Sequence, residues 1–177
     1  MPPVYLMRHG ETVWNLDARM QGQRDSPLTV RGRAQAARQG AILRDHGVTT
    51  CHARSSPLGR AMETARLAGL QAIADVRLAE VGMGAWEGRL RADITTASGL
   101  MWKFDAPGGE GLATVRARLE DLLADDMAEP VILITHGAIG IVLRALLCGF
   151  PAEHWDRMED PQGVVHVIEN GVERLLA

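Results

Sequence analysis

Apolar residues along this chain fall into two rhythms. Short unbroken runs, Val4-Tyr5-Leu6-Met7 and Val131-Ile132-Leu133-Ile134, predict strands, the second of them central in a sheet. Longer stretches with apolar positions three or four apart predict helices. The clearest is Val30 to His46, with Thr29 placed as N-cap and Gly47 where a left-handed C-terminal residue belongs. Leu58 to Leu70 follows Ser56-Pro57, read as an N-cap and a first-turn proline. Ala113 to Met127 and Ala138 to Cys148 complete the helices. Thr49 to Ala53 predicts a second strand and Asp75 to Leu78 a third, shorter one. Gly163 to Glu169 and Val172 to Leu176 flank Asn170-Gly171, a two-residue hairpin signal. Residues 10–28 and 79–111 lack a clean period and predict loops, each with one short helix.

Strands alternate with helices until a hairpin closes the chain. That order predicts an α/β sandwich with a mostly parallel sheet and one antiparallel strand. No repeat, linker or low-complexity tract interrupts it, so residues 1–177 read as one domain. A length of 177 residues is enough to bury a substantial core.

Charge narrows the partners. The net charge is −3, so no global basic field draws the chain to nucleic acid or to an anionic membrane. No apolar run reaches membrane-spanning length, and the N-terminal segment meets Arg8 too early for a signal-peptide core. A cytoplasmic location is the expectation. Lys103 is the only lysine; arginine supplies the remaining positive charge and suits bidentate grip on phosphate. Cys51 and Cys148 have no metal or redox spacing and are expected as buried thiols. His46, His52, His154 and His166 likewise lack metal-ligand spacing, and the four tryptophans are expected in core or pocket walls. Asp45, Asp121, Asp125 and Asp126 are expected on solvated helix faces.

Candidate chemistry lies just beyond the predicted strands. The first strand runs into Arg8-His9-Gly10, the second leads through Ser56-Pro57 to a helix bearing Arg60, and the central strand ends at Thr135-His136-Gly137. Open α/β sheets bind ligands beyond the carboxyl ends of their strands, so two imidazoles and two guanidiniums should meet in one volume. The helix start after His136 adds backbone N–H groups and a favourable dipole. A neutral imidazole can attack phosphorus while arginines hold the non-bridging oxygens. Glu80, just past the third strand, is the candidate general acid and base.

These motifs have a recognisable pattern. Leu6-Met7-Arg8-His9-Gly10-Glu11-Thr12 resembles the signature of the histidine phosphatase superfamily, also called the phosphoglycerate mutase-like family. The likeness continues through Trp14-Asn15, Gln21-Gly22, Asp25-Ser26-Pro27-Leu28-Thr29, Ser56-Pro57-Leu58 with Arg60, Leu78-Ala79-Glu80, Gly84-Ala85-Trp86-Glu87-Gly88, Pro107-Gly108-Gly109-Glu110 and Thr135-His136-Gly137. The resemblance implies a three-layer α/β/α sandwich. It implies His9 as the phosphorylated nucleophile, with Arg8, Arg60 and His136 completing the phosphate pocket and Glu80 as acid and base. Asn15, Gln21, Gly22 and Gly137 would line the substrate phosphate and its surroundings. The resemblance implies no metal and no other cofactor.

Two departures shape the expected activity. Gly111 stands where the family often has serine, which weakens the cap of the following helix. The segment between Glu80 and the central strand is short, whereas cofactor-dependent mutases resembling this chain carry a longer insertion with more basic residues. Here it offers only Arg89, Arg91 and Lys103. The expected activity is therefore hydrolysis of a phosphomonoester, a small phosphorylated metabolite, by a metal-independent enzyme. A cofactor-dependent phosphoglycerate mutase and a non-catalytic phosphate-dependent regulatory protein are the alternatives. A homodimer is left open.

Overall fold

The structure, a computed structural model, describes residues 2–49, 51–94, 97–125 and 129–177. Among these, six strands form one sheet: β1 (Val4–Arg8), β2 (His52–Ser55), β3 (Ala72–Ala74), β4 (Val131–Thr135), β5 (Val165–Glu169) and β6 (Val172–Leu176). Their order across the sheet is β3-β2-β4-β1-β5-β6. β1, β2, β3 and β4 pair parallel, and β5 runs antiparallel to both β1 and β6. A single reversed strand in a mostly parallel sheet is the architecture expected from the element order.

Among the described residues, α1 (Val13–Leu16) is a short turn in the loop after β1, and four α-helices cover the sheet: α2 (Val30–Asp45), α3 (Gly59–Leu67), α4 (Leu112–Leu123) and α5 (Gly137–Cys148). Side chains alternate along a strand, so each strand feeds two cores. Met7, Ile132 and Ile134 pack with Ile42 and Leu43 of α2 and Ala61 and Ala65 of α3. Leu6 and Leu133 pack on the other face with Val115 and Leu119 of α4 and Ile139 and Leu143 of α5. The result is a three-layer α/β/α sandwich. Every residue of β4 is buried, which explains its unbroken apolar run. Truncating Leu133 to alanine is expected to cost about 2–5 kcal/mol.

Local signals act where they were expected at several places. The Thr29 hydroxyl accepts from the Gly32 N–H at 2.9 Å and caps α2. Gly47 follows that helix at φ 73°. Asn170 and Gly171 both have positive φ, 51° and 75°, as a type I′ hairpin turn requires. Gly111 precedes α4 without a side-chain cap.

Elsewhere the boundaries differ. The third strand lies upstream of its expected place, at Ala72–Ala74. Asp75 instead accepts from the Arg77 N–H at 3.0 Å and caps a 3₁₀ turn, Val76–Leu78. A local carboxylate-to-backbone bond diverted these residues from the ladder. α3 begins only at Gly59, with Leu58 rather than Ser56 at the N-cap position and no side-chain cap. Among the described residues, 79–111 hold three 3₁₀ turns, Gly84–Trp86, Arg91–Asp93 and Met101–Asp105, rather than one short helix. Thr50, Asp126 and Met127, inside expected elements, lie outside the described residues. Asp121 and Asp125 are not simply solvated, because both pair with Arg77, at 2.9 and 2.8 Å. Cys51 and Cys148 are half-buried free thiols rather than core residues. Among the described residues, no helix is long and apolar enough to cross a membrane.

Candidate active site

Three strand ends deliver the candidate residues. Arg8 closes β1, and the next residue continues the ladder through a bond from the His9 N–H to the Thr135 carbonyl at 3.0 Å. β4 ends at Thr135, and His136 follows as the N-cap of α5. β2 leads into α3, whose first turn carries Arg60. The loop after His9 lies tight on α2: a Cβ at Gly10 would sit 2.1 Å from the Gly32 carbonyl oxygen. Only glycine allows that approach.

The expected side chains converge. The His9 and His136 rings lie 5.1 Å apart at 59°, and the Arg60 Nε reaches His9 Nε2 at 3.3 Å. Arg8, His9, Arg60 and Glu80 line one cavity of about 320 Å³. Asn15, Gln21, Gly22 and Gly137 line it too. His136 packs behind His9 and is fully buried.

Hydrogen bonds assign the His9 tautomer. Nδ1 lies 2.7 Å from the Gly10 carbonyl, which can only accept, so Nδ1 carries the proton. Nε2 is then bare and accepts from Arg60. Burial holds His9 well below the usual imidazole range, helped by the Arg60 and Arg8 charges. The ring is thus neutral near pH 7, with its unprotonated Nε2 turned to a guanidinium. Burial and the same two arginines, together with His9, lower His136 as well. Its Nε2 meets the Ser56 hydroxyl at 2.7 Å, and its Nδ1 is buried without a partner. His136 was expected to complete the phosphate pocket, but it is not among the residues that line the cavity and instead backs the His9 ring.

The two arginines are held in different ways. Arg60 is 2% exposed and spends three of its other four donors on the Gly22 carbonyl at 2.8 Å, the Arg24 carbonyl at 2.7 Å and Asp25 at 3.1 Å. Gly22 sits at φ 53°, and a Cβ there would meet the Glu87 carboxylate at 2.2 Å. Arg8 donates to the Asp160 carbonyl at 2.7 Å and faces its carboxylate at 3.0 Å. Burial raises the Asp160 carboxyl, and Arg8 pulls it back down. Asn15 closes a capping box with Thr12 at the start of α1. Glu80 accepts from the Val81 N–H at 2.9 Å.

Other residues of the site escaped the sequence reading. Asp160, Asp25 and Ser56 are the partners of Arg8, Arg60 and His136. Ser56 was expected to cap a helix; its hydroxyl accepts from the Leu58 N–H at 3.3 Å and also meets His136. Of the basic residues after Glu80, Arg91 and Lys103 line the cavity, whereas Arg89 bonds the Asp93 carbonyl outside it. Arg91 lies over the Trp102 ring at 5.5 Å and Arg19 over Trp14 at 5.8 Å, so both tryptophans are pocket walls. Being the only lysine was the one available signal for Lys103. Among the described residues, no group of three or more His, Cys, Asp or Glu is placed to hold a metal ion.

A neutral imidazole, two fixed guanidiniums and a nearby carboxyl form a set suited to phosphoryl chemistry. Residues 4–174 match the model of the histidine phosphatase superfamily, branch 1. The chain belongs to that superfamily. A histidine phosphatase relative from Enterobacter sp. strain 638, named Probable phosphoglycerate mutase GpmB, is 38% identical over 86% of this chain and 77% of its own. The structure of the open reading frame Rv3214 product from Mycobacterium tuberculosis superposes with a TM-score of 0.86 at 29% identity, covering 99% of this chain and 96% of that one. Mycobacterial glucosyl-3-phosphoglycerate phosphatase Rv2419c, solved with VO3, gives 0.78 at 29% identity, covering 99% and 97%. The fold and the order of the motifs are therefore those of the superfamily, among whose members both phosphatases and mutases are named.

Proposed function

We propose that this protein is a phosphomonoester hydrolase that acts on a small phosphorylated metabolite through a phosphohistidine at His9. The observation that carries this reading is the His9 tautomer: Nδ1 is tied to a carbonyl and Nε2 is unprotonated, its lone pair meeting only a 3.3 Å bond from Arg60 that an incoming phosphorus would displace. Arg8 and Arg60 hold the phosphoryl oxygens, with the Gly137 backbone at the start of α5 beside them. Nε2 forms a bond to phosphorus as the phosphorus–oxygen bond to the leaving group breaks. Glu80, in its acid form, gives its proton to the departing alkoxide. Water then attacks phosphorus, Glu80 takes one of its protons, the nitrogen–phosphorus bond breaks, and inorganic phosphate leaves with His9 restored.

The test is product identity. A panel of phosphomonoesters without added metal should yield free phosphate, and a His9→Ala protein should yield none. Full activity in His9→Ala would remove the mechanism. A second reading, mutase activity, is favoured by the name of the Enterobacter relative and by Lys103 and Arg91 in the cavity wall. It requires an isomeric phosphoglycerate as product, with a bisphosphorylated primer to load His9.

A further inference from the structure

The Glu80 segment is held from both sides by one ion pair that does not reach the cavity. On its N-terminal side, the Arg118 guanidinium donates to the Ala79 carbonyl at 2.8 Å and also to the Arg77 carbonyl. On its C-terminal side, Gly82 and Glu110 exchange two bonds. The Glu110 N–H donates to the Gly82 carbonyl at 2.7 Å, and the Gly82 N–H donates to Glu110 Oε2 at 3.3 Å. Arg118 and Glu110 join the two halves bidentately, at 2.7 and 3.0 Å. Both side chains are mostly buried, 17% and 15% exposed. Arg118 comes from α4, so the clamp ties the Glu80 turn to a rigid helix of the sandwich.

Glu80 itself has little else to hold it. Its carboxylate accepts from its neighbour Val81, and its carbonyl receives a long bond of 3.4 Å from Gln23. The turn has neither strand nor α-helix geometry, so its backbone carries no ladder of its own. A fixed acid must stay within hydrogen-bond reach of the leaving oxygen, and small displacements are expensive in rate.

We propose that Glu110 and Arg118 are positioning residues for Glu80, and that they set proton delivery to the leaving group without touching substrate. This rests on Glu80 being the acid of the proposed hydrolase. Substrate reach and phosphate grip belong to other residues, so disturbing the clamp weakens one step selectively. That step is departure of a basic alkoxide. A 2,4-dinitrophenolate leaves as a weak base and needs no proton.

The experiment compares Glu110→Gln, Arg118→Lys and Glu80→Gln on glycerol phosphate and on 2,4-dinitrophenyl phosphate. The quantity read is kcat/KM, which ends at leaving-group departure. A glutamine removes the charge and sets an NH₂ donor against one of the two Arg118 donors, so the bidentate pair is lost. A lysine cannot span Ala79, Arg77 and Glu110 together. Both clamp variants should lose about 10-fold or more on glycerol phosphate and less than about 3-fold on the dinitrophenyl ester, as Glu80→Gln does more strongly. Retained turnover of the dinitrophenyl ester also reports a folded site. Equal losses on both esters in the clamp variants, beside a selective loss in Glu80→Gln, would overturn the clamp alone. So would unchanged glycerol phosphate turnover in both clamp variants. A Glu80→Gln protein without leaving-group selectivity would overturn the acid assignment and the clamp together.

Discussion

Replacing Arg60 by lysine keeps one positive charge and removes the planar fork that the site is built around. The guanidinium donates to His9 Nε2, the Gly22 and Arg24 carbonyls, and Asp25, over distances of 2.7 to 3.3 Å. These partners surround it from different directions, so a single ammonium can keep about two of them. Losing two bonds from a charged donor amounts to about 3–6 kcal/mol at the usual 1.5–3 kcal/mol each. Relaxation and water entering the open cavity favour the low end, so unfolding should weaken by about 3 kcal/mol. Catalysis should suffer separately, because the guanidinium that sits at His9 Nε2 and keeps one Nη2 donor for phosphate is also gone. A fall in kcat/KM of about 100-fold corresponds to about 2.7 kcal/mol of lost transition-state stabilisation. Urea unfolding followed by tryptophan fluorescence, together with phosphate release on one monoester, measures both. An Arg60→Lys protein within about 0.5 kcal/mol of the parent and keeping a third of its kcat/KM would refute the assignment of Arg60 as the central anchor, since surface changes typically stay within that range.

Three further outcomes follow from the same geometry. His9 and His136 are held well below the ordinary imidazole range, so between their native values and pH 6.5 the unfolded chain binds more protons than the native one. Stability should fall on acidification below about pH 6.5, by up to about 1.4 kcal/mol per unit for each ring. Asp160, raised by burial, works in the opposite sense nearer pH 4. Urea midpoints at pH 5.5 and 6.5 should converge by about one proton's worth in His9→Asn, and an unchanged slope would mean that His9 already protonates in the native state. Ser56→Ala leaves the His136 Nε2 without its 2.7 Å partner and should cost about 1–2 kcal/mol in urea unfolding, with no change counting against that bond. Lys103→Met should raise KM about 10-fold for esters bearing a second anionic group, one lost charge contact, and less than about 2-fold for p-nitrophenyl phosphate. Equal changes on both would remove Lys103 as a reader of the leaving group.

What could be read in advance was local. The buried run of β4, the Thr29 cap and the Asn170-Gly171 turn each declare themselves within a few residues. The strand exits followed from alternation, and with them the meeting of Arg8, His9, Arg60 and His136. The failures came where a local signal had a distant use. Ser56-Pro57 has the composition of a helix start, yet the hydroxyl is claimed by a histidine 80 positions away. Asp75 looked like a strand beginning and instead folds its carboxylate onto its own backbone. Asp160 sits 152 positions from the arginine it holds. Nothing in its neighbourhood marks it, because that pairing exists only once β1 and the segment before β5 are side by side. Lys103 and Trp102 lie on a 3₁₀ turn and Trp14 on a single helical turn, all too short for periodicity, so their direction into the cavity had no sequence signature.

The central claim concerns which nitrogen takes the phosphoryl group. Rapid mixing with a labelled phosphomonoester, quenching in base and identification of the modified residue would answer it directly. The account requires acid-labile phosphate on His9, attached at Nε2, because Nδ1 is occupied by the Gly10 carbonyl. Phosphate at Nδ1, label on another residue, or full turnover with no labelled protein at any time would contradict it.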